Sequence, residues 1–332
     1  MKHKSKIVLV TAIGSLSGDI VIKNLINCGY KVIGCDTHPK SWIADAYNVN
    51  KFYQVPSSYE KNYLEVIIDI VQKENVGYII PLTDPEIDVL NMNRTCFNEH
   101  VCLCISGENT IELCRNKLKS YNYLSSQNIC STIITFNKSS INFDEISFPV
   151  IGKPIRGRSS EGIMIFGSKE LLYEFLITEK ADNFVFQPFI DGKIITVDII
   201  RDAEYNKCYT IPRRELIRTK NGAGTSVYVF YDKSFDTVCV KIADALKVDG
   251  CVNFEFIEDN KTGERFFMEC NPRFSAGVKF SCLAGYDFII NHLNCFIGKQ
   301  IDELGTYDNM YIARKYEEHI TEKQNIRSNN QL

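Results

Sequence analysis

Two glutamates lie inside apolar runs in the segment GCVNFEFIEDNKTGERFFMECNPRFS, residues 250–275. Glu255 stands among Phe, Ile and Val, Glu269 stands among Phe, Met and Cys, and Asn271 and Arg273 follow at once. Burying a carboxylate among apolar side chains costs free energy unless an opposite charge neutralises it. Two carboxylates and an amide oxygen suit a hard divalent cation, so these residue types predict a cation site of the kind that accompanies phosphates.

A β-hairpin is the element that would position these side chains. Residues 252–257 and 265–270 are predicted as strands, and the polar residues between them as the turn. Because side chains alternate along a strand, Glu269 and Asn271 share a face with Glu255, and a hairpin centred on the turn sets the two glutamates opposite each other. Like charges at opposite positions destabilise a sheet unless a cation lies between them. The alternative is a pair of solvent-facing glutamates.

The pattern E-F followed by F-x-E-x-N-P-R resembles the metal-binding core of ATP-grasp enzymes, in the branch that is similar to the large subunit of carbamoyl-phosphate synthase and to biotin carboxylase. The resemblance implies that Glu255, Glu269 and Asn271 hold Mg²⁺, or Mn²⁺ in its place, on the phosphates of ATP. It implies that Arg273 faces the reacting phosphate. The implied activity is an ATP-dependent ligase that activates a carboxylate as an acyl phosphate and joins it to an amine.

Composition restricts the class of protein. The chain has 332 residues, 45% hydrophobic and 24% charged, which is ordinary for a soluble globular protein of two or three domains. A net charge of −3 argues against a nucleic-acid binder that relies on a basic surface. No run is long and apolar enough to cross a membrane, and no signal-peptide pattern is present, so we expect a cytoplasmic protein. The thirteen cysteines are predicted to be reduced and to pack as small hydrophobes.

The first part of the chain alternates strand and helix patterns with short connections, which predicts a parallel sheet with helices on both faces. Gly14 and Gly18 follow the first predicted strand and Asp36 ends the second, a layout typical of dinucleotide-binding folds. The full G-x-G-x-x-G run is absent, because the sequence reads G-S-L-S-G. The resembled branch begins with a similar domain that binds no dinucleotide, and we prefer that interpretation over a nicotinamide-dependent oxidoreductase.

Three further segments resemble parts of the family that hold ATP phosphates. Residues 110–130 are predicted as a linking helix, on which Lys117 matches a phosphate-contacting lysine, with the neighbouring Lys119 as the alternative. Lys153 matches the lysine that contacts the α- and β-phosphates from the strand before the lid. The loop after that strand resembles the glycine-rich lid, whose backbone N–H groups and hydroxyls can close over a polyphosphate. Its candidate contacts are Arg158, Ser159 and Ser160.

The adenine and ribose contacts agree with the family only in part. Residues 184–189 resemble the strand that binds adenine, which implies that Gln187, Phe189 and Ile190 lie at the base. The family has an acid for the ribose hydroxyls where this chain has Ile194, and Asp191 is a candidate to compensate. This departure favours a second hypothesis, a non-catalytic or regulatory MgATP-binding protein. The intact metal-binding acids oppose it.

Cationic and acidic residues elsewhere are candidates for substrate binding. The segment that contains Arg213 and Lys220 resembles P-R-x-x-x-x-R-x-G, and its cations could hold an acyl phosphate or a carboxylate. A basic strand edge that blocks aggregation is the alternative. The P-L-T-D-P-E loop resembles a family loop at the acceptor pocket. There Asp84 and Glu86 could meet an amine, or could equally serve as acids at the start of the next helix.

The predicted architecture is α/β and α+β: an N-terminal Rossmann-like sheet followed by a two-lobed ATP-grasp fold with a mobile lid. The predicted segments are a pre-ATP-grasp domain (1–110), a small lobe with linker helix and lid (111–188), a lobe that carries the metal site (189–316) and a polar tail (317–332). The expected partners are a small-molecule carboxylate and an amine, with no nucleic acid and no membrane. Members of the family are often dimeric, so the resemblance allows a homodimer.

Overall fold

The computed structural model of the chain describes residues 5–157 and 161–323. These residues divide into two compact units. The first contains the chain up to Cys104 together with the segment that begins at Arg314, and the second spans Ile105–Ala313. The finer division of the second unit into lobes stays a prediction. The last part of the predicted polar tail, residues 324–332, lies outside the described residues.

The first unit is built on a five-stranded parallel sheet with the order β3-β2-β1-β4-β5. Its central strands are runs of β-branched and aliphatic residues, and the side chains of Val8, Leu9 and Val10 are fully buried. This agrees with the parallel sheet that the sequence predicts. The elements are β1 (Ile7–Val10), α1 (Gly18–Asn27), β2 (Lys31–Asp36), β3 (Lys51–Gln54), α2 (Tyr63–Lys73), β4 (Tyr78–Ile80), α3 (Asp84–Met92) and β5 (Cys102–Leu103).

The glycine loop after β1 is closed by contacts within this unit. The amide of Gly14 donates to Asp36 Oδ2 at 2.9 Å, and the amide of His38 donates to Asp36 Oδ1 at 3.1 Å. A Cβ at Gly18 would lie 1.9 Å from the carbonyl oxygen of Ile13, so glycine lets α1 begin against the loop. Both features that resemble a dinucleotide site therefore have structural roles in this unit.

The second unit begins with two helices instead of the single linking helix predicted for residues 110–130, and that prediction is wrong. They are α4 (Glu108–Arg115) and α5 (Lys117–Gln127). Asn116 interrupts them with an extended backbone, and its side chain caps α5 by accepting from the amide of Lys119 at 3.0 Å. The interruption makes Lys117 the first residue of α5.

A four-stranded antiparallel sheet with the order β6-β9-β7-β8 follows. Its core contains Val150, Phe186 and Leu172, the last from a helix that Ser168 caps by accepting from the amide of Leu171. The elements are β6 (Phe136–Asn137), β7 (Val150–Pro154), β8 (Met164–Phe166), α6 (Lys169–Leu176) and β9 (Phe184–Pro188). The predicted lid would connect β7 to β8.

The largest sheet has six strands in the order β14-β13-β10-β11-β12-β15, all paired antiparallel. One of its faces is apolar and carries Val197, Phe254 and Phe256 into a core shared with α7. The elements are β10 (Gly192–Asp202), β11 (Lys207–Arg218), β12 (Gly224–Val229), α7 (Lys233–Ala245), β13 (Gly250–Asp259), β14 (Arg265–Asn271), α8 (Val278–Leu283), α9 (Phe288–Ile297) and β15 (Met310–Ala313).

The opposite face of this sheet is polar. Thr196 pairs with Glu255 and Asp198 with Asn253 across β10 and β13, and Asn253 in turn pairs with Asn271 on β14. Residues directly opposite each other in an antiparallel pair point to the same face. The sheet therefore separates an apolar core from a face on which acids and amides meet.

Candidate active site

The predicted acidic pair lies at one register position of the β13–β14 hairpin, Glu255 opposite Glu269. Nearer the turn the pairing is different, with Phe256 opposite Phe267, so Met268 is an extra residue on β14. This is a β-bulge, in which two residues of one strand oppose one of its partner. Without it the pairing nearer the turn would place Met268 opposite Glu255, and the side chain of Glu269 would point to the other face.

Two lysines meet this acidic pair in a cleft of the second unit. Lys117 Nζ lies 3.3 Å from Glu269 Oε2. Lys153, on β7, is 8% exposed, and its burial lowers the pKa of its ammonium group while Glu269 opposes that shift. Lys119 instead pairs with Glu112 at 2.8 Å on an exposed surface. The sequence did not decide between Lys117 and Lys119. In the structure Lys117 lies at the acidic pair and Lys119 lies on the surface. The cleft is lined by Lys117, Lys153, Pro154, Gly157, Glu161, Ile163, Arg218, Glu255, Met268 and Glu269.

The electrostatics of the cleft favour a bound cation. Burial and the charge of Glu269 together raise the pKa of Glu255 from 4.5 to about 7. Arg218 partly offsets this, because its Nη2 lies 3.7 Å from Glu255 Oε2. The Glu255 side chain is 21% exposed, so a ligand can still reach it. A carboxylate whose ionised form is disfavoured by burial and by a like charge is stabilised when a divalent cation binds it.

This pKa shift gives a stability prediction for the metal-free protein. A raised pKa disfavours the ionised acid in the folded state, so wild-type stability falls as the pH rises from 4.5 to about 7. At about pH 8 we expect the free energy of unfolding of Glu255→Gln to exceed that of wild type by about 1–2 kcal/mol. At about pH 4.5 we expect little difference between the two proteins. Urea unfolding with a chelator at both pH values measures this. Glu264→Gln, at an exposed position of the same hairpin, serves as the control. A Glu255→Gln variant less stable than wild type at the higher pH would contradict the assigned repulsion.

Asn271 and Arg273 follow the acidic pair at the end of β14. The Asn271 side chain is 6% exposed, and its Nδ2 lies 3.2 Å from Asn253 Oδ1. Arg273 Nη2 lies 3.4 Å from Asn271 Oδ1, and Arg273 Nη1 donates to the carbonyl of Phe274 at 3.2 Å. The amide oxygen of Asn271 is therefore directed away from Asn253 and toward the guanidinium of Arg273.

The donor set fits Mg²⁺ in type. Among residues 5–157 and 161–323, no group of three or more His, Cys, Asp and Glu side chains is arranged to hold a metal ion. A metal here would take two carboxylates, Glu255 and Glu269. Asn271 would add its amide oxygen once its side-chain amide turns over, because its Nδ2 now lies 3.4 Å from Glu269 Oε1. Mg²⁺ is commonly held by one or two carboxylates together with substrate phosphates, and an all-protein cage is not required.

Arg213 does not line the cleft, although the sequence predicted a catalytic role for it. Its side chain is 1% exposed, and its Nη1 donates to Asp198 Oδ2 at 2.6 Å. Its Nε donates to Glu215 Oε1 at 3.2 Å, and its Nη2 donates to Ser275 Oγ at 2.9 Å. The guanidinium is thus held inside the polar face, where it fixes the segment that follows Arg273.

We expect Arg213→Met to lower the free energy of unfolding by about 3–5 kcal/mol, because removing one partner leaves Asp198 and Glu215 as uncompensated buried charges. Denaturant unfolding measures this. The control is Arg214→Met, since Arg214 is 27% exposed where it pairs with Glu258, and its loss is expected to cost about 1 kcal/mol or less. Equal effects of the two substitutions would refute the buried network.

Arg218, the second arginine of the segment that resembles P-R-x-x-x-x-R-x-G, also lines the cleft, and the sequence analysis gave it no role of its own. Arg213 and Arg218 are five positions apart, so a regular strand would direct them to opposite faces. The β11–β12 pairing shifts register between Glu215 and Ile217 and again between Ile217 and Arg218. These irregularities direct the Arg218 side chain to Glu255. The P-R-x-x-x-x-R spacing was the available signal, but it did not show which arginine faces the acids.

The other predicted site residues of the second unit lie on β9, on the stretch that follows it, and between β11 and β12, apart from the three lid residues. Gln187 is 7% exposed, and its Nε2 donates to Thr135 Oγ1 at 2.8 Å, while Oε1 has no hydrogen-bond partner within the part of the chain that the structure describes. Phe189 is 44% exposed, and Ile190 and Ile194 are half-buried on the same stretch. Lys220 is exposed in the turn between β11 and β12. Arg158, Ser159 and Ser160 lie outside the described residues.

Asp84 and Glu86 belong to the first unit, in the first turn of α3. Glu86 is 7% exposed and accepts from Thr83 Oγ1 at 2.6 Å and from the hydroxyl of Tyr63 at 3.1 Å. Burial raises the pKa of Glu86. Asp84 is 1% exposed. The contacts of Glu86 thus attach its side chain to Tyr63 and to Thr83, the residue before α3.

Two family models match parts of the chain. Residues 180–318 match the model described as ATP-grasp in the biosynthetic pathway with Ter operon, and residues 8–105 match the N-terminal domain of PylC-like proteins. The chain therefore contains an ATP-grasp domain, matched over residues 180–318. The predicted family and fold class are confirmed, and the match supports the prediction that the chain is an enzyme.

Two curated proteins are similar in sequence to parts of this chain. The carbamoyl phosphate synthase large chain of Caldanaerobacter subterraneus subsp. tengcongensis is 24% identical over 298 residues, which cover 83% of this chain and 27% of the relative. The D-alanine–D-alanine ligase of Francisella tularensis subsp. novicida is 29% identical over 159 residues, which cover 44% and 53% of the two chains. The chain therefore spans about a quarter to half of the length of these relatives.

The biotin carboxylase domain of the Hydrogenobacter thermophilus 2-oxoglutarate carboxylase, solved with MgADP and bicarbonate, has the same fold. The TM-score between the two structures is 0.76 at 20% sequence identity, over 91% of this chain and 71% of that one. At this level of identity the likeness shows the fold.

Of the helices in residues 5–157 and 161–323, none has the length and apolar character that crossing a membrane requires.

Proposed function

We propose that this chain is an ATP-dependent ligase that activates a substrate carboxylate as an acyl phosphate and joins it to an amine, with release of ADP and phosphate. The observation that carries the proposal is the cleft in which the opposed Glu255 and Glu269 meet Lys117, Lys153 and Arg218. An acidic pair beside three cations is the arrangement that a metal–polyphosphate complex needs, since each sign of charge finds its opposite on the ligand.

In this proposal Glu255, Glu269 and Asn271 hold Mg²⁺. The metal, when bound, would neutralise charge on the β- and γ-phosphates and withdraw charge during phosphoryl transfer. Two observations support the fit: the raised pKa of Glu255 and the oxygen-only donor set. Lys117 and Lys153 would take over contacts to the phosphates, and the Lys117–Glu269 pair of the free protein would open as the nucleotide enters.

The adenine base is proposed to lie against β9. Gln187 Oε1 is a buried acceptor with no hydrogen-bond partner in the described structure, and the exocyclic amine of adenine is a donor. Phe189 beside it offers an exposed apolar surface for the base. Ile194 offers no hydrogen bond to a ribose, which predicts that the ribose hydroxyls contribute less to affinity here than the phosphates.

The chain's own residues suggest how the reaction would proceed. A carboxylate oxygen of the substrate attacks the γ-phosphorus, ADP leaves, and an amine then attacks the acyl carbon and displaces phosphate. Arg218 in the cleft and Arg273 beside Asn271 would stabilise the negative charge that develops in these steps. Arg213 would act indirectly, since it positions the segment after Arg273 through Ser275.

Phosphate release from MgATP, measured against a panel of small carboxylates with and without amines, tests this proposal. The proposed ligase releases phosphate only with a particular acid, and the product contains the amine. The alternative of a regulatory nucleotide-binding protein is favoured by Ile194 alone. It predicts MgATP binding by calorimetry without release for any acid in the panel. Absence of MgATP binding would refute both functions.

A further inference from the structure

Two thiols meet directly beneath the proposed metal site. Cys114 Sγ lies 3.2 Å from Cys270 Sγ, although 156 positions separate the two residues in the chain. Cys114 is 6% exposed and Cys270 is 2% exposed, and both belong to the apolar core on the other side of the sheet from the cleft. A disulfide requires a sulfur–sulfur distance of about 2.05 Å, so an approach of about 1.2 Å would suffice.

The position of the pair connects it to the cleft. Cys270 lies on β14 between Glu269 and Asn271, so its side chain points into the core while theirs point to the polar face. Cys114 lies in the last turn of α4, three residues before Lys117. A bond between the two sulfurs would therefore join the strand that carries the metal ligands to the helix that leads into the phosphate-binding lysine.

We propose that Cys114 and Cys270 form a reversible disulfide when the protein meets a peroxide, and that this bond weakens MgATP binding. The more exposed thiol, Cys114, takes one oxygen from hydrogen peroxide to give a sulfenic acid and water. The Cys270 sulfur then attacks the Cys114 sulfur, the S–S bond forms, and the hydroxyl leaves as a second water with the Cys270 proton. Two thiols are oxidised by two electrons, and one peroxide is reduced to two waters. An added dithiol reverses the reaction by exchange.

The expected effect on MgATP affinity follows from the distance that the two sulfur atoms must move to form the bond. Drawing the sulfurs together moves β14 and the end of α4 by up to about 1 Å, in a site whose Lys117–Glu269 contact is 3.3 Å. Displacements of about 1 Å can cost on the order of 10²-fold in catalysis. We therefore expect the Kd for MgATP to rise by at least about tenfold in the oxidised protein.

The first test is a non-reducing peptide map of the full chain after peroxide treatment. Trypsin should yield peptide 95–115 joined to peptide 266–273, and reduction should separate them. Peptide 95–115 contains three other cysteines, so Cys114→Ala and Cys114→Ser identify the sulfur by abolishing the link. Cys239→Ala is the matched control, because Cys239 is buried in the same core and the link should persist. A map without the joined peptides, or with them in both Cys114 variants, would overturn the disulfide.

The second test is calorimetric titration of MgATP into reduced protein, oxidised protein and the Cys114→Ser variant. The proposal expects weaker binding only in oxidised wild type, recovery after reduction, and no response to peroxide in the variant. A joined peptide with unchanged MgATP affinity would overturn the switch while leaving the disulfide established. Reduced protein that binds no MgATP would refute the proposed function and the switch together, and the peptide map would still decide the disulfide.

Discussion

Glu269→Gln is expected to lower carboxylate-dependent phosphate release from MgATP by about 10³-fold, because the substitution removes a charge from the proposed metal site and keeps the shape of the side chain. A bound metal supplies several kcal/mol of charge stabilisation in phosphoryl transfer, and each 1.36 kcal/mol is a factor of ten in rate. A Mg²⁺ titration of the residual activity should also show a higher half-saturating concentration. Both quantities are measured by coupled phosphate assay.

Two comparisons separate this effect from a general loss of structure. Glu264→Gln changes an exposed acid on the same hairpin and is expected to retain wild-type activity. The thermal midpoint of metal-free Glu269→Gln should be close to that of wild type or above it, since the like-charge contact with Glu255 is relieved at the same time as the pair with Lys117 is lost. A folded Glu269→Gln variant with wild-type turnover would remove the metal site from the account.

Lys117→Met and Lys153→Met are each expected to lower kcat/KM for ATP by about 10²-fold. Removing one preorganised donor from a charge-stabilising site typically costs this much. Lys153→Met should also stabilise the free protein, because the ammonium group is buried where desolvation lowers its pKa, and methionine fills similar space. Steady-state kinetics with varied ATP and thermal unfolding of the nucleotide-free protein measure the two effects.

Lys119→Met is the matched control for both lysines. Its ammonium group pairs with Glu112 on an exposed surface, only two positions from Lys117 in the chain. We expect kcat/KM for this variant to lie within about twofold of wild type, since a surface ion pair contributes little. If Lys119→Met were as impaired as Lys117→Met, the break at Asn116 would not orient the lysines as the structure has them.

A regular hairpin centred on the turn predicts Glu255 opposite Glu269, and the structure has the same pair opposite through a different register. The β-bulge that produces this register could not be predicted from the sequence. The strands leave the turn with Phe256 opposite Phe267, and the bulge at Met268 restores the alignment of the acids. The bulge places Phe267 and Cys270, three positions apart, on the same apolar face, and the run of apolar residues before Glu269 does not show which of them is the extra one.

The same limit explains the arginines and the linking helix. Arg213 was assigned to the site because it lies beside Pro212 in the resembled motif, but register shifts after Glu215 direct Arg218 to the acids and leave Arg213 inside the network of Asp198 and Glu215. Helical spacing of apolar residues continued across residues 110–130, and it concealed the cap at Asn116. In both cases the local sequence pattern predicted a regular strand or helix, and tertiary contacts stabilise an irregular one.

Oxygen transfer from carboxylate to phosphate tests the central claim most directly. The carboxylate that elicits phosphate release would be labelled with ¹⁸O at both carboxyl oxygens and turned over with MgATP and the amine. An acyl phosphate intermediate requires one labelled oxygen in each released phosphate, and one left in the ligated product. Mass spectra of the phosphate that show a single ¹⁸O are the predicted result. Unlabelled phosphate, or no acid in the panel that elicits release, would contradict carboxylate activation by this cleft.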